Sequence, residues 1–393
     1  MAKILGLVPN VFLLGLVSLF NDLSAEMIYA VMPAFLVGVL GAPPLVLGLI
    51  EGVADAVASV FKIVSGWFSD RVRRRKVISV SGYGLSILTR LGLTFVANFF
   101  QVFLIRVLDR VGKGVRESPR DALLVESVER QDVGRSFGYL RAMDQVGGIL
   151  GPAAALILLP VIAYDYRLLF LIGFLVGIFV LVSFIFVREP KKSVVPDGAP
   201  RPPLSFSLKA FNKPFKHFIA SIFIFGLGAM PISLMLLKAQ ATGRDGLNIP
   251  LMYLIYSVAF AIAAVPFGKL SDRIGERKVM AAGFFLAIIA YLILGRSSSL
   301  GFIILGFVIF GLYSAMTDGV GRAIASKLVE PRQLASGEGF LGATLGFASL
   351  LAGLAGGLIW TSYGANSAFI YGAIMMTVGL ILFVSLNSKD SFV

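Results

Sequence analysis

"GWFSDRVRRRK", residues 66–76, sets five cations and one aspartate into an otherwise oily chain, and "GKLSDRIGERK", residues 268–278, repeats it with six of eleven positions identical. The likeness extends beyond the two stretches. Val128, Glu129, Gly138, Leu140 and Ala142 lie 201 residues before Val329, Glu330, Gly339, Leu341 and Ala343. Self-similarity at so long a period predicts two related halves, each built on the same plan.

The material between these stretches decides the class. The 393 residues are 57% apolar and 15% charged, with a mean hydropathy of +0.89, well above the range of soluble domains. Windows of about 20 apolar residues, enough to cross some 30 Å of hydrocarbon as helix, recur throughout. The shorter alternating segments of a membrane β-barrel are absent, and lipid-exposed backbone must be satisfied within its own helix. The expectation is an all-α membrane protein of twelve transmembrane helices in two pseudo-symmetric six-helix bundles. The expected spans are 9–39, 45–66, 77–96, 100–124, 136–162, 168–187, 217–239, 250–269, 279–295, 300–325, 337–361 and 367–386. With no cysteine there is no disulfide frame or thiolate metal site. The first apolar stretch lacks a small-residue cleavage site and reads as a retained span rather than a signal peptide.

The net charge of +13 concentrates in alternate loops instead of spreading over one face, which argues for topology and against nucleic acid. Arg71, Arg73, Arg74, Arg75 and Lys76, the 188–216 segment, and Arg273, Arg277 and Lys278 fall on one side; the other side's loops hold Arg167, Arg244 and Arg296. The positive-inside rule then places both termini in the cytoplasm, with the chain in the cytoplasmic (inner) membrane. The proline-rich, charged 188–216 segment is the expected linker between an N-terminal bundle, 1–187, and a C-terminal bundle, 217–393.

On these residues the chain resembles the major facilitator superfamily of secondary transporters, and on "NDLSAEMIYAVMPAF", residues 21–35, with "RVLDRVGKGVRESPRDAL", residues 106–123, it resembles a prokaryotic efflux-permease branch of it. The superfamily's loop signature is carried here by Gly66, Asp70, Arg71 and Arg74 with Arg75, and again by Gly268, Asp272 and Arg273; its second glycine is Arg73 in the first copy and Gly275 in the second. The resemblance implies a conformational latch in which the aspartate engages arginines and a helix terminus. In the fifth helix, Gly138, Gly147, Gly151 and Pro152 resemble the superfamily's antiporter motif, although Ala155 and Leu156 stand where its last glycine pair would be. Close helix packing around small residues explains the same pattern without any transport direction. "GEGFLG", residues 337–342, matches a dinucleotide fingerprint by letter but opens a membrane span with no strand before it.

Ionisable groups within spans cost about 2.5 to 3.5 kcal/mol each on insertion scales and point to function. They crowd the first half. Asp22 and Glu26 lie one turn apart on helix 1 after Asn21, and Glu51 and Asp55 repeat that spacing on helix 2. Arg90 sits in helix 3, Arg106, Arg110 and a further charged stripe in helix 4, and Arg141 and Asp144 in helix 5; the second half offers little beyond Asp318, Arg322 and Glu338. Packing alone would have been shared by both halves. The asymmetry therefore assigns ion coupling to the first, with Asp22 and Glu26 as leading proton carriers, then Glu51 and Asp55. Asn21, Arg90, Arg106 and Arg110 are candidate counter-ions or binders of an anionic group. Apolar contacts are assigned to the second half, through Tyr256 and neighbours such as Phe225, Tyr253 and Phe260. For Arg116 to Asp121 a static ion-pair brace is the favoured reading.

The function expected is proton-coupled efflux (antiport) of small organic molecules by alternating access, performed by a monomer with no cofactor, no metal and no enzymatic step. An importer of an organic anion, resting on the same arginines, is the alternative. A divalent-metal exporter ranks lower because so many cations surround the carboxylates and the single His217 sits at a span end.

Overall fold

The computed structural model describes residues 7–72, 74–189, 211–240, 247–330 and 333–385, apart from the side chains of Asp70, Arg130, Leu334 and Ala335. Most of the expected linker, 190–210, lies outside the described residues. The helices are α1 (Pro9–Tyr29), α2 (Pro44–Val72), α3 (Arg75–Leu93), α4 (Phe99–Glu126), α5 (Val133–Val161), α6 (Tyr166–Phe186), α7 (Lys213–Gly228), α8 (Ile232–Gln240), α9 (Asn248–Ile274), α10 (Glu276–Arg296), α11 (Leu300–Lys327), α12 (Leu334–Tyr363) and α13 (Ala365–Ser385). A π-helical turn, Ala34–Val39, extends the first span, and α7 with α8 makes the seventh, so the described helices form the twelve expected spans. Ten of these are long and apolar enough to cross a membrane by composition alone. The other two are α3 and α4, whose charged residues dilute their hydropathy.

Packing divides the chain into two compact units. One comprises Met1–Met32 and Val57–Leu204; the other comprises Pro33–Ala56 and Ser205–Val393. The first unit closes around Leu14, Val17, Tyr83, Ile87, Leu124, Leu140 and Phe184, and its tightest joint is α1 on α5. A side chain at Gly147 would strike the Leu19 carbonyl and the Asp22 Cβ, and one at Gly151 would strike the backbone at Glu26 and Met27. Two glycines of the helix-5 motif thus bring α5 against the two carboxylate positions of α1. Gly138 has no neighbour within 4 Å of where its Cβ would stand. In lipid, where tails are as apolar as leucine, such close approach supplies much of the force between helices.

The second unit uses the same device where the first half of α2 meets α12. Gly48 faces the Gly353 carbonyl, Gly52 faces Leu350, and Gly357 faces Leu45, each too close for a side chain. Polar bonds flank this seam. Ser349 Oγ donates to Asp55 Oδ2 at 2.9 Å, and the Leu45 amide donates to Thr361 Oγ1 at 3.1 Å. By packing, 33–56 therefore goes with the second unit, whereas sequence repetition groups it with 1–187. The seventh span breaks at Ala229–Pro231, where proline has no amide to continue the helix; the freed Met230 carbonyl accepts from the Tyr291 hydroxyl at 3.4 Å.

Each unit also ties the start of its third helix to the end of its fourth. In the first, Arg75 at the head of α3 pairs with Glu126, the last residue of α4, at 3.2 Å, with side chains 7% and 12% exposed, and donates to Ser69 Oγ. In the second, Glu276 at the head of α10 pairs with Lys327, the last residue of α11. The positions correspond but the signs are reversed. Letter by letter Arg75 aligns with Arg277, but one residue, Gly275, joins α9 to α10 where two separate α2 from α3. Gly275 makes that tighter turn at φ +97°, a conformation glycine adopts without a Cβ clash, and the register moves by one. Lys327 and Glu276 agree with their helix dipoles, while Arg75 and Glu126 oppose theirs.

Two predictions follow from this packing. Gly151→Val should overpack the α1–α5 joint and cost about 1–3 kcal/mol, read as a lower unfolding midpoint in detergent, while Gly138→Ala should cost nothing measurable. Arg75→Gln should cost about 3–5 kcal/mol, because both partners are nearly enclosed, and Lys327→Gln, where the lysine itself is half exposed, about 1 kcal/mol or less; equal losses would contradict the assignment.

Candidate functional site

The first unit gathers the intramembrane charges of α1, α3, α4 and α5 into one network. Ser18, Asn21 and Ser24 recur every three residues on the buried face of α1, a spacing that lines them along one side of a helix. Each takes part in satisfying an arginine. Arg90, buried on α3, donates to Ser24 Oγ at 2.7 Å and to Asn21 Oδ1 at 2.7 Å, and Ser24 in turn donates to the Gly173 carbonyl of α6. Gly177 leaves room for the guanidinium, since a Cβ there would stand 3.2 Å from Arg90 Nη1. On α4, Arg120 bonds to Ser18 Oγ at 3.1 Å and pairs with Asp121 at 2.9 Å and Asp144 at 3.8 Å. Arg116 donates to Ser86 Oγ and lies 4.7 Å above the Tyr83 ring.

Asp22 occupies a distinct place. Its Oδ1 accepts from Asn21 Nδ2 at 2.8 Å, and among the described residues it makes no ion pair. Arg90, Asn21 and Asp22 thus form a chain of hydrogen bonds in which a neutral amide stands between the cation and the carboxylate. Asp144, Glu26, Arg116 and Arg90 all lie near enough for their charges to act on Asp22. Asp144 differs in having Arg120 and, at 3.5 Å, Arg141 as partners. Asp109 lies in the field of Arg106, Arg110, Arg90 and Arg116; Arg106 meets it at 3.4 Å and stacks at 5.4 Å on Tyr29. Glu117 binds Lys62 at 2.9 Å and Lys113 at 3.8 Å.

The structure brings Asn21, Asp22, Glu26, Arg90, Arg106 and Arg110 into this one unit. Glu51, which is buried, and Asp55, bonded to Ser349, belong to the other. In the loop motifs, Arg71 lies 4.1 Å over the Trp67 ring, Arg74, Asp272 and Arg273 are exposed, and the Asp70 side chain lies outside the described residues. Gly268 has no neighbour within 4 Å of a Cβ position, and Gly66 meets Ser118 at an ordinary 3.4 Å. Within the two stretches Arg75 and Glu276 reach the ends of neighbouring helices as ion pairs, while Lys76 donates to the Val187 carbonyl after α6 and Arg277 to the Phe383 and Val384 carbonyls of α13. In the sequence Arg75 is legible as part of the loop signature, but its partner Glu126 is not.

The second unit holds a cavity of about 390 Å³ bounded by α7, α9, α10, α11 and α12. The Ala229 break in the seventh span lines it, consistent with irregular membrane backbone being found where it faces a cavity. Phe225 and Phe284 stack with centroids 3.7 Å apart. Tyr256 stacks between Tyr253 at 6.0 Å and Phe260 at 6.4 Å, and its hydroxyl bonds to Ser314 Oγ at 3.2 Å. Asp318 and Arg322 complete the lining with the cavity's charges. Phe284 and Tyr313 also line it, and nothing in their sequence setting distinguishes them from core aromatics.

Comparison with known proteins agrees with this architecture. The family model described as Major Facilitator Superfamily matches residues 14–245 and 217–391. An MFS-type transporter of Methanocaldococcus jannaschii is 30% identical over 386 residues, covering 95% of this chain and 94% of its own. The multi-drug resistance efflux pump PmrA of Streptococcus pneumoniae is 24% identical over 329 residues, 82% of this chain and 81% of the pump. Among solved structures, a POT family transporter in complex with a thioalcohol-conjugated peptide has a TM-score of 0.81 at 15% identity, covering 96% of each chain; the nucleoside transporter NupG has 0.75 at 14% identity, covering 98% of this chain and 100% of its own. The chain therefore belongs to the Major Facilitator Superfamily, and is a multi-pass membrane transporter of small molecules rather than an enzyme.

Proposed function

We propose that this transporter is a proton-coupled exporter of small organic molecules, working by alternating access as a monomer in the cytoplasmic membrane with both termini inside. The observation that carries the proposal is the position of Asp22. An amide joins its carboxylate to Arg90 in place of an ion pair, and the like charges of Asp144 and Glu26 act on it against that of Arg116. Taking up a proton there breaks no ion pair. Losing it again is favoured when a conformational change alters those neighbours, which is how an intramembrane carboxylate converts movement into proton transfer. Glu26 shares the face of α1, while Glu51 and Asp55 serve as secondary carriers. The loop motifs act as conformational latches, the first through Arg75.

The organic-anion importer loses support from the same geometry. Both terminal nitrogens of Arg90 are already bonded, and Arg106 faces Asp109, so an anion would have to displace protein partners. A metal exporter loses support because no group of three carboxylate or histidine ligands converges among the described residues. Efflux draws its support from the likeness to PmrA, a multidrug pump by name, and from an aromatic cavity suited to apolar cargo.

The purified chain, reconstituted in liposomes with an internal pH dye and challenged with a panel of drugs and metabolites, should move protons against substrate. Asp22→Asn should reduce that coupled flux by about tenfold or more, with Glu26→Gln weaker. Substrate that moves together with protons along a pH gradient would instead identify an importer, and coupling retained in both variants would remove Asp22 and Glu26 from the mechanism.

A further inference from the structure

The aromatic cavity carries one acid and one base at its rim. Asp318 and Arg322 stand one turn apart on α11, their charged atoms 3.6 Å from each other and their side chains 63% and 51% exposed. The buried pairs of the first unit are closed in by protein; this one is open. A half-exposed pair at i,i+4 contributes only about 0.3–0.5 kcal/mol, so a ligand that supplies both opposite charges replaces it at little loss.

Behind the pair the walls are rings and hydroxyls. Phe225 stacks on Phe284, Tyr256 on Phe260, and Tyr256, Tyr313, Ser314 and Thr317 bring hydroxyls to the lining, that of Tyr256 bonded to Ser314. A volume of about 390 Å³ falls in the range of small-molecule sites, enough for a fused ring system with a short polar head. Charge then selects among molecules of that shape. A free cation meets Arg322, a free anion meets Asp318, and a neutral ring leaves both without exchange.

We propose that this cavity binds an aromatic zwitterion, its ring among Phe225, Tyr256, Phe260 and Phe284, its ammonium on Asp318 and its carboxylate on Arg322. Charge-assisted bonds replace the weak pair at both ends, and the rings hold the flat part of the ligand by stacking. The inference names the cargo class of the exporter reading and rests on that reading for its physiological meaning, but binding itself requires no proton gradient.

Four indole compounds test it, sharing one ring and differing in charge: tryptophan (zwitterion), tryptamine (cation), indole-3-propionate (anion) and N-acetyltryptophanamide (neutral). Equilibrium dialysis with the full chain in detergent should give tryptophan a dissociation constant lower by about tenfold or more than each of the others, a difference of about 1.4 kcal/mol. Asp318→Asn should shift preference to the anion and Arg322→Gln to the cation. The double change Asp318→Arg with Arg322→Asp should return it to the zwitterion, which a merely misfolded protein would not do. Equal binding of all four, no binding at millimolar concentration, or preferences unmoved by either single change would overturn the proposal. Intact selectivity in Asp22→Asn with coupling lost separates the failure of this inference from failure of the exporter reading.

Discussion

A guanidinium in hydrocarbon must find its hydrogen-bond partners within the protein, because no water is there to supply them. Arg90 meets that demand by reaching from α3 to two side chains of α1, one of which hands on to α6. Much of the first unit is arranged around this requirement. Small residues on α6 clear space for the group, serines on α1 and α3 receive arginines of α3 and α4, and the carboxylates left over are those that Asn21 or other arginines hold. What is free to change its charge is decided by what the arginines have already taken.

The two units meet the absence of a hydrophobic drive in lipid by different means. The first relies on polar bonds between helices, reinforced where α5 glycines touch α1. The second is richer in aromatic contacts, with Phe284 stacked on Phe225 and tilted against Phe383 and Tyr291 edge-on to Phe369. An interior held by rings tolerates a gap that an interior held by ion pairs would not, because a void beside a ring forfeits dispersion contacts whereas one beside an unpaired charge costs far more. The 390 Å³ cavity accordingly lies among the rings.

Fold class was legible in the chain because hydropathy and repetition act over long windows, and errors at single residues average away. The loop stretches at 66–76 and 268–278 announced duplication directly. Asp22 and Asn21 were legible as polar groups in a span, since their cost in oil demands a reason. Ser18 and Ser24 were not singled out, although their spacing with Asn21 marked the same face; a serine in a membrane helix satisfies itself on its own backbone so often that it raises no alarm. The Arg75–Glu126 pair was hidden differently. Arg75 belongs to the loop signature, but Glu126 stands 51 residues away in an unremarked position, and only the turn at Gly275 discloses that Glu276, and not Arg277, is the counterpart of Arg75.

That reversed pair constrains how the two halves could have diverged from a common ancestor. Reversing the charge directly at one position and then the other passes through two cations or two anions facing each other at the end of a helix, where like charges repel. In the first unit both positions are nearly enclosed, which makes that passage costlier than in the second, where Lys327 is half exposed. A route through a neutral residue avoids that repulsion, and it costs least where one partner already faces outward, as Lys327 does.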